Sequence, residues 1–261
     1  MIEAPAQTAL RRRGVPPVIV AAIAVAWAAA IGAEITGTAQ LVHHDALAHS
    51  DLPLIAALGI FVVAWQLMIV AMMLPSSLPL IRLFRVAAAN QPSPAVATIG
   101  LLLGYAAVWT AFGVVAFLGD LGLHRLVHGW AWLEARPQVI AGSVLLLAGA
   151  FQFSSLKERC LRECRHPGPF LLQHYGRGVE AAFRLGKAHG LFCLGCCWAL
   201  MLVGFAAGVA NLWWMAALTA LMVFEKTGRG GERGVAPIGA GLIALGVLTF
   251  MAPAASLLAT S

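Results

Sequence analysis

Charge is scarce in this chain: only 11% of its 261 residues are Asp, Glu, Lys or Arg, while 61% are apolar. Soluble domains carry about 25% charged and about 45–50% apolar residues. No soluble fold hides this much apolar surface, so lipid is the solvent for most of the chain, and the mean hydropathy of +0.86 agrees. Other absences narrow the function. There is no glycine-rich phosphate loop of the P-loop type. No Ser–His–Asp or other hydrolytic constellation stands out, and no inverted repeat of the kind common in secondary transporters is evident.

What is abundant is apolar sequence in membrane-length runs. A transmembrane helix needs about 17–25 apolar residues. The runs 17–36, 52–74, 95–118, 137–153, 190–209, 212–224 and 235–254 qualify as candidates, which predicts an all-α polytopic bundle of seven helices, with six as the alternative. The sixth run is short and follows the fifth across Ala210-Asn211. Arg11-Arg12-Arg13 precede the first run, which is long for a signal peptide, so a retained helix is expected. The expected organisation is a basic tail over 1–16 and one helical domain over 17–261, interrupted by a Cys-containing loop at 154–189.

Charge orients this bundle. With the N-terminus cytoplasmic, 15 of the 17 Lys and Arg residues fall on the inner side and only Arg125 and Arg136 on the outer, as the positive-inside rule requires. Membrane topology therefore accounts for the net charge of +6, and nothing points to nucleic acid as a partner.

The same topology gathers sulfur. Cys193, Cys196 and Cys197 lie in Gly190-Leu-Phe-Cys-Leu-Gly-Cys-Cys-Trp-Ala-Leu-Met201. Residues three and four apart share a helix face, so the three thiols form one patch that Met201 extends by a turn. Cys160, Cys164 and His166 sit in the inner loop, Met72-Met73 at the inner end of the second run, and Glu225-Lys226 at that of the sixth. Cysteine is also a small buried hydrophobe, and methionine commonly only fills gaps; three thiols on one face argue for more than packing. Thiolates and thioethers favour Cu(I), and thiolates also suit zinc. Pro75 lacks an N–H and so frees the Ala71 carbonyl, bending the helix beside the methionine pair. Glu225 has an ordinary reading, in which it reaches water with Lys226 at the helix end, and a functional one, in which it completes a site or carries protons.

A cytosolic setting is reducing, so Cys160 and Cys164 are read as thiols sharing a helical face rather than a disulfide. His166-Pro-Gly-Pro169 ends any helix there, and 170–187 reads as an amphipathic stretch lying on the membrane. The outer loops hold His43, His44, His49, His124 and His128, read chiefly as solvated, with a metal-accepting outer site as the alternative. Asn211 is read as capping turn backbone.

The runs Ala71-Met-Met-Leu-Pro-Ser76, Leu156-Lys-Glu-Arg-Cys-Leu-Arg-Glu-Cys-Arg-His-Pro-Gly-Pro-Phe-Leu171, Gly186-Lys-Ala-His-Gly-Leu-Phe-Cys-Leu-Gly-Cys-Cys-Trp-Ala-Leu-Met201 and Asn211-Leu-Trp-Trp-Met215, with Glu225-Lys226, resemble one bacterial family over roughly 60–250. It is that of the predicted metal-binding integral membrane proteins, a domain of unknown function that includes copper-chaperone-like accessory proteins of polyphenol oxidases. The resemblance implies metal handling, with copper favoured, and carries over Met72, Cys160, Cys164, Cys193, Cys196, Cys197 and Glu225 as motif positions. Where the family pattern has a Met before Asn211 this chain has Ala210, which is dropped as a ligand. The outer histidines and the first helix lie outside its motifs.

The expected function is Cu(I) handling in the bacterial inner membrane: metal is received from a soluble donor and delivered to a client metalloenzyme, with no catalysis of its own. A thiol–disulfide or metal-dependent oxidoreductase is the alternative, because Cys193-x-x-Cys196 is a redox spacing, and a metal transporter is a further one.

Overall fold

A computed structural model describes residues 16–38, 52–206 and 211–251. The basic tail through residue 15 and the histidines at 43, 44 and 49 lie outside these. Among the described residues the regular structure is entirely helical.

The N-terminal half comprises α1 (Pro17–Ile35), α2 (Leu54–Met72), α3 (Leu74–Ala87), the long α4 (Pro94–His128) and the single turn α5 (Ala131–Glu134). The C-terminal half comprises α6 (Pro137–Gln152), α7 (Ser155–Arg165), α8 (Pro167–His174), α9 (Val179–Ala206), α10 (Leu212–Thr227) and α11 (Gly231–Met251). Prolines stand at the first turn of α1, α3, α4, α6 and α8, where a missing N–H costs nothing. Asn211 caps α10 by accepting from the Trp213 and Trp214 amides at 3.1 and 3.2 Å, as expected from sequence.

Five helices, α1, α2, α4, α9 and α11, are long and apolar enough to cross a membrane. The helices that would bring the count to seven, α6 and α10, have sixteen residues each, or about 24 Å, short of the ~30 Å hydrocarbon layer. Adding α7 to α6 gives a sixth span only through a 66° bend. Because α7 has six charged residues among its eleven, it belongs at the end of the bundle. At the other extreme α4 runs about 52 Å, and its last turns, with Asp120, His124 and His128, project beyond the span expected at 95–118.

Cross-helix contacts fix the directions. Phe61 meets Phe117 and the Trp65 indole donates to the Trp109 carbonyl at 2.8 Å, so α2 and α4 are antiparallel. Gln66, a lone amide in an apolar helix, is satisfied by Thr110 at 2.6 Å and the Ala106 carbonyl at 3.2 Å, as polar groups packed between apolar helices require. Helices α4 and α9 run parallel, with Gly100 against Val179, Gly104 against Phe183 and Gly190 against Val108. Helices α6 and α11 run antiparallel, with Gly142 against Gly246 and Gly149 against Gly239. Between these two pairs α10 lies antiparallel to α9, since Gly204 meets Leu218 and Cys193 meets Lys226.

The inner loop differs from expectation. Residues 179–187 are not a surface stretch but the first turns of α9, which begins at Val179. The reason is the pair Gly186 and Gly190, which brings the α9 backbone against Leu101 and Tyr105 of α4; a small-xxx-small spacing permits that approach. Cys160 and Cys164 do share one face of α7, and that face is buried against the bundle.

Candidate metal centre

The break between α2 and α3 opens the site. Pro75 cannot donate to the Ala71 carbonyl, and the Trp27 indole of α1 takes that acceptor at 3.1 Å. The chain then turns at Met73, with Ser76 and Ser77 donating to the Met73 carbonyl at 2.8 and 3.4 Å. This turn presents the Met73 thioether to α9, where the Cys197 thiol donates to the Met73 sulfur at 3.9 Å. Met72 is buried too, but neighbours on a helix point about 100° apart, and it is Met73 that meets the thiols.

Cys193, Cys196 and Cys197 are fully enclosed. In α9 the thiols of Cys196 and Cys197 both turn back to the Cys193 carbonyl, at 3.1 and 2.8 Å. Cys164 of α7 lies 3.9 Å from the Cys196 sulfur. Cys160 packs so closely on Gly195 that a Cβ there would come within 2.5 Å of its sulfur. All five cysteines are free thiols. In α7, burial pushes the Cys160 thiol above its ordinary range, and the hydrogen bond with Cys196, then burial, does the same for Cys164. Among the described residues no three His, Cys, Asp or Glu side chains form a metal-ready group as they stand. A soft ligand set is present, with the Cys196 and Cys197 S–H groups directed at the Cys193 carbonyl.

Lys226 is the largest departure from the sequence reading. It is buried and does not reach water. Its ammonium donates to the Cys193 sulfur at 3.1 Å, to Ser76 at 3.4 Å and to the Cys197 sulfur at 3.7 Å. Glu225, the next residue, points elsewhere. Its carboxylate pairs with buried Lys157 at 2.6 Å and accepts from Gln152 at 3.1 Å. Glu225 is thus turned into the bundle and away from water, but apart from the thiols, where it pins α10 to α6 and α7. Arg165 strengthens the joint, donating to the Glu225 carbonyl and, at 3.1 Å, to that of Gly228. A cavity of about 370 Å³ opens beside it, lined by Gln152, Lys157, Glu158, Arg162 and Glu232.

Two further groups frame the thiols. The Tyr105 hydroxyl of α4 is 3.1 Å from the Cys193 sulfur. The Tyr105 ring stacks on His189, whose Nε2 is 3.1 Å from the Ser77 hydroxyl. His189 precedes Cys193 by four residues and shares its face, a signal available in the sequence. Tyr105 is a buried phenol, which needs a polar partner.

The other expected residues are placed apart. His166 is exposed at the end of α7, against the Arg162 carbonyl at 2.8 Å, and is not gathered with the sulfurs. Met201 is buried one turn beyond Cys197. His124 lies against Asp120 at 3.4 Å and His128 against Glu134 at 3.1 Å, at the far end of α4.

Fold and site together define a polytopic helical protein organised around a buried thiol–thioether centre. The family model described as the copper chaperone PpoB2 matches residues 62–249, and the chain belongs to that family. Its field is therefore copper handling, as the resemblance implied. No curated protein and no solved structure matches the chain. The matched segment contains every sulfur and charged residue of the centre and leaves out α1.

Proposed function

We propose that this chain is a multi-pass protein of the bacterial inner membrane that holds Cu(I) near the cytoplasmic face and passes it to a client cuproenzyme. The observation that carries this reading is the convergence of Cys164 from α7, Cys193, Cys196 and Cys197 from α9, and Met73 from the α2–α3 turn onto one level of the bundle. Thiolates alone suit zinc as well; a thioether in the set favours Cu(I). Lys226 supplies a fixed positive charge beside the sulfurs, offsetting the negative charge that a thiolate site builds up in a low dielectric. The basic end carrying α7 is the cytoplasmic one by the charge rule. There Cys160 and Cys164 receive metal from a soluble donor, and the deeper thiols hold it by ligand exchange.

The test is Cu(I) binding by purified, reduced protein. Replacing Cys193, Cys196 and Cys197 together with Ser is expected to abolish it. Copper retained undiminished in that variant overturns the site.

One observation favours a second reading. The Cys164 and Cys196 sulfurs, on different helices, lie 3.9 Å apart, so a dithiol relay would use this pair in place of the Cys193–Cys196 spacing. A Cys164–Cys196 disulfide trapped in cells, with Cys197→Ser harmless, selects that reading over delivery.

A further inference from the structure

The protein has two cores of different composition. The larger contains all five cysteines and Met68, Met72, Met73, Met201, Met215 and Met222. Of the eight methionines in the sequence, only Met1, outside the described residues, and exposed Met251 are not in it. The second core, built from α3, α8, the first halves of α4 and α9 and Ile19 of α1, contains no sulfur among its buried residues or among those packed against it. Methionine used only to fill gaps has no reason to avoid one core and crowd the other.

Register then sorts the sulfur by depth. At the first level, Lys226 meets Cys193 and Cys197, and Cys197 meets Met73. Two turns further along α9, Phe205 meets Trp65 at 6.3 Å and Phe61 at 6.2 Å between ring centres, and Phe61 stacks on Phe117 at 4.7 Å. Between these levels each of the three helices places one buried methionine. Met201 follows Cys197 by four residues, and Met222 precedes Lys226 by four, so each shares the face that carries the thiol level. Met68 is buried and lies three residues from Trp65, on the same face of α2, and the Trp65 ring meets Phe205 of α9.

We propose that Met68, Met201 and Met222 form a second metal station, one helical turn deeper than the thiols and closed from above by the aromatic level. Thioethers are neutral, soft ligands, so the station takes Cu(I), or Ag(I) as its mimic, and refuses Zn(II). It extends the proposed copper centre and rests on that reading. It gives the metal a step away from the cytoplasmic end, held by weaker ligands than the thiolates, from which it leaves more readily.

The experiment titrates the purified, reduced full chain with Cu(I) against a chromogenic Cu(I) chelator, and in parallel with Zn(II). The wild type is expected to bind a tight equivalent and a second, weaker one, the second for Cu(I) alone. Met201→Leu with Met222→Leu, a swap that conserves volume, should keep the first and weaken the second by at least about tenfold. In the wild type, the second equivalent should leave cysteine labelling unchanged from the one-equivalent state, a readout that does not depend on the variant folding. The station is overturned if the double variant keeps both equivalents, if the second equivalent protects a further cysteine, or if only one equivalent binds. Absence of any Cu(I) binding by the wild type removes the thiol site as well, which separates failure of the underlying reading from failure of this one.

Discussion

The two glycine seams and the sulfur centre between them hold helices together by opposite means. Along α4 and α9, Gly100, Gly104, Gly186 and Gly190 let backbones touch: a Cβ at Gly104 would overlap the Phe183 carbonyl and come within 2.9 Å of the Lys187 amide. The α6–α11 seam repeats this with Gly142, Gly149, Gly239 and Gly246. Where α2, α9 and α10 meet, the space is filled by long, unbranched or sulfur-bearing side chains and one lysine. A backbone seam has no rotamers and cannot adjust. Methionine and cysteine have soft torsions and polarisable sulfur, so the centre can change partners while the seams keep their spacing. The difference teaches where rigid backbone contact ends and adaptable side-chain packing begins.

The comparison breaks most visibly at the seam. Gly104→Val forces side-chain atoms into the α9 backbone, and no flexible neighbour can yield. The expected outcome is loss of folded protein, read as collapse of the monodisperse species in detergent. Retention of wild-type thermal stability would show that the seam is not rigid.

Next in size is the buried ion pair that joins α7 to α10. Lys157→Met leaves Glu225 enclosed with Gln152 as its remaining side-chain partner, and an uncompensated buried charge costs about 3–5 kcal/mol. Adding Glu225→Gln should recover most of that loss, because removing both charges is commonly near neutral. Unfolding in a denaturant series of the single and double variants checks this, and equal destabilisation of both would show that charge pairing is not what stabilises the joint.

The smallest structural effect belongs to the centre. Met73→Leu conserves volume and should cost less than about 1.5 kcal/mol, while weakening Cu(I) binding measurably in the same chelator competition. Unchanged affinity would strike Met73 from the ligand set and leave the thiols alone.

Much of this was legible in the sequence because it rests on local spacing. Apolar runs located the long helices, the three- and four-residue intervals placed the α9 thiols on one face, and Asn211 declared its cap. The start of α9 was missed because Arg184 and Lys187 resemble a membrane-surface pattern, while the informative signal was Gly186 and Gly190, whose meaning depends on a partner helix. Lys226 was missed for a related reason. A lysine at a helix end usually reaches water, and only the rotation of α10 about its axis decides whether Glu225 or Lys226 faces the thiols. The choice between Met72 and Met73 turned on the same angle. His166 stood near Cys164 in sequence but beyond the end of the helix, where proximity along the chain no longer carries over to space.

The Trp27 indole has a consequence for where the working unit of this protein begins. The family match starts at residue 62, yet the carbonyl exposed by Pro75, inside the match, is satisfied by a side chain of α1, outside it. A buried carbonyl left without a partner costs several kcal/mol, and this one adjoins the turn that aims Met73. The boundary by which relatives are recognised is therefore not the boundary of the structural unit: one helix beyond the shared pattern holds in place the turn that carries Met73.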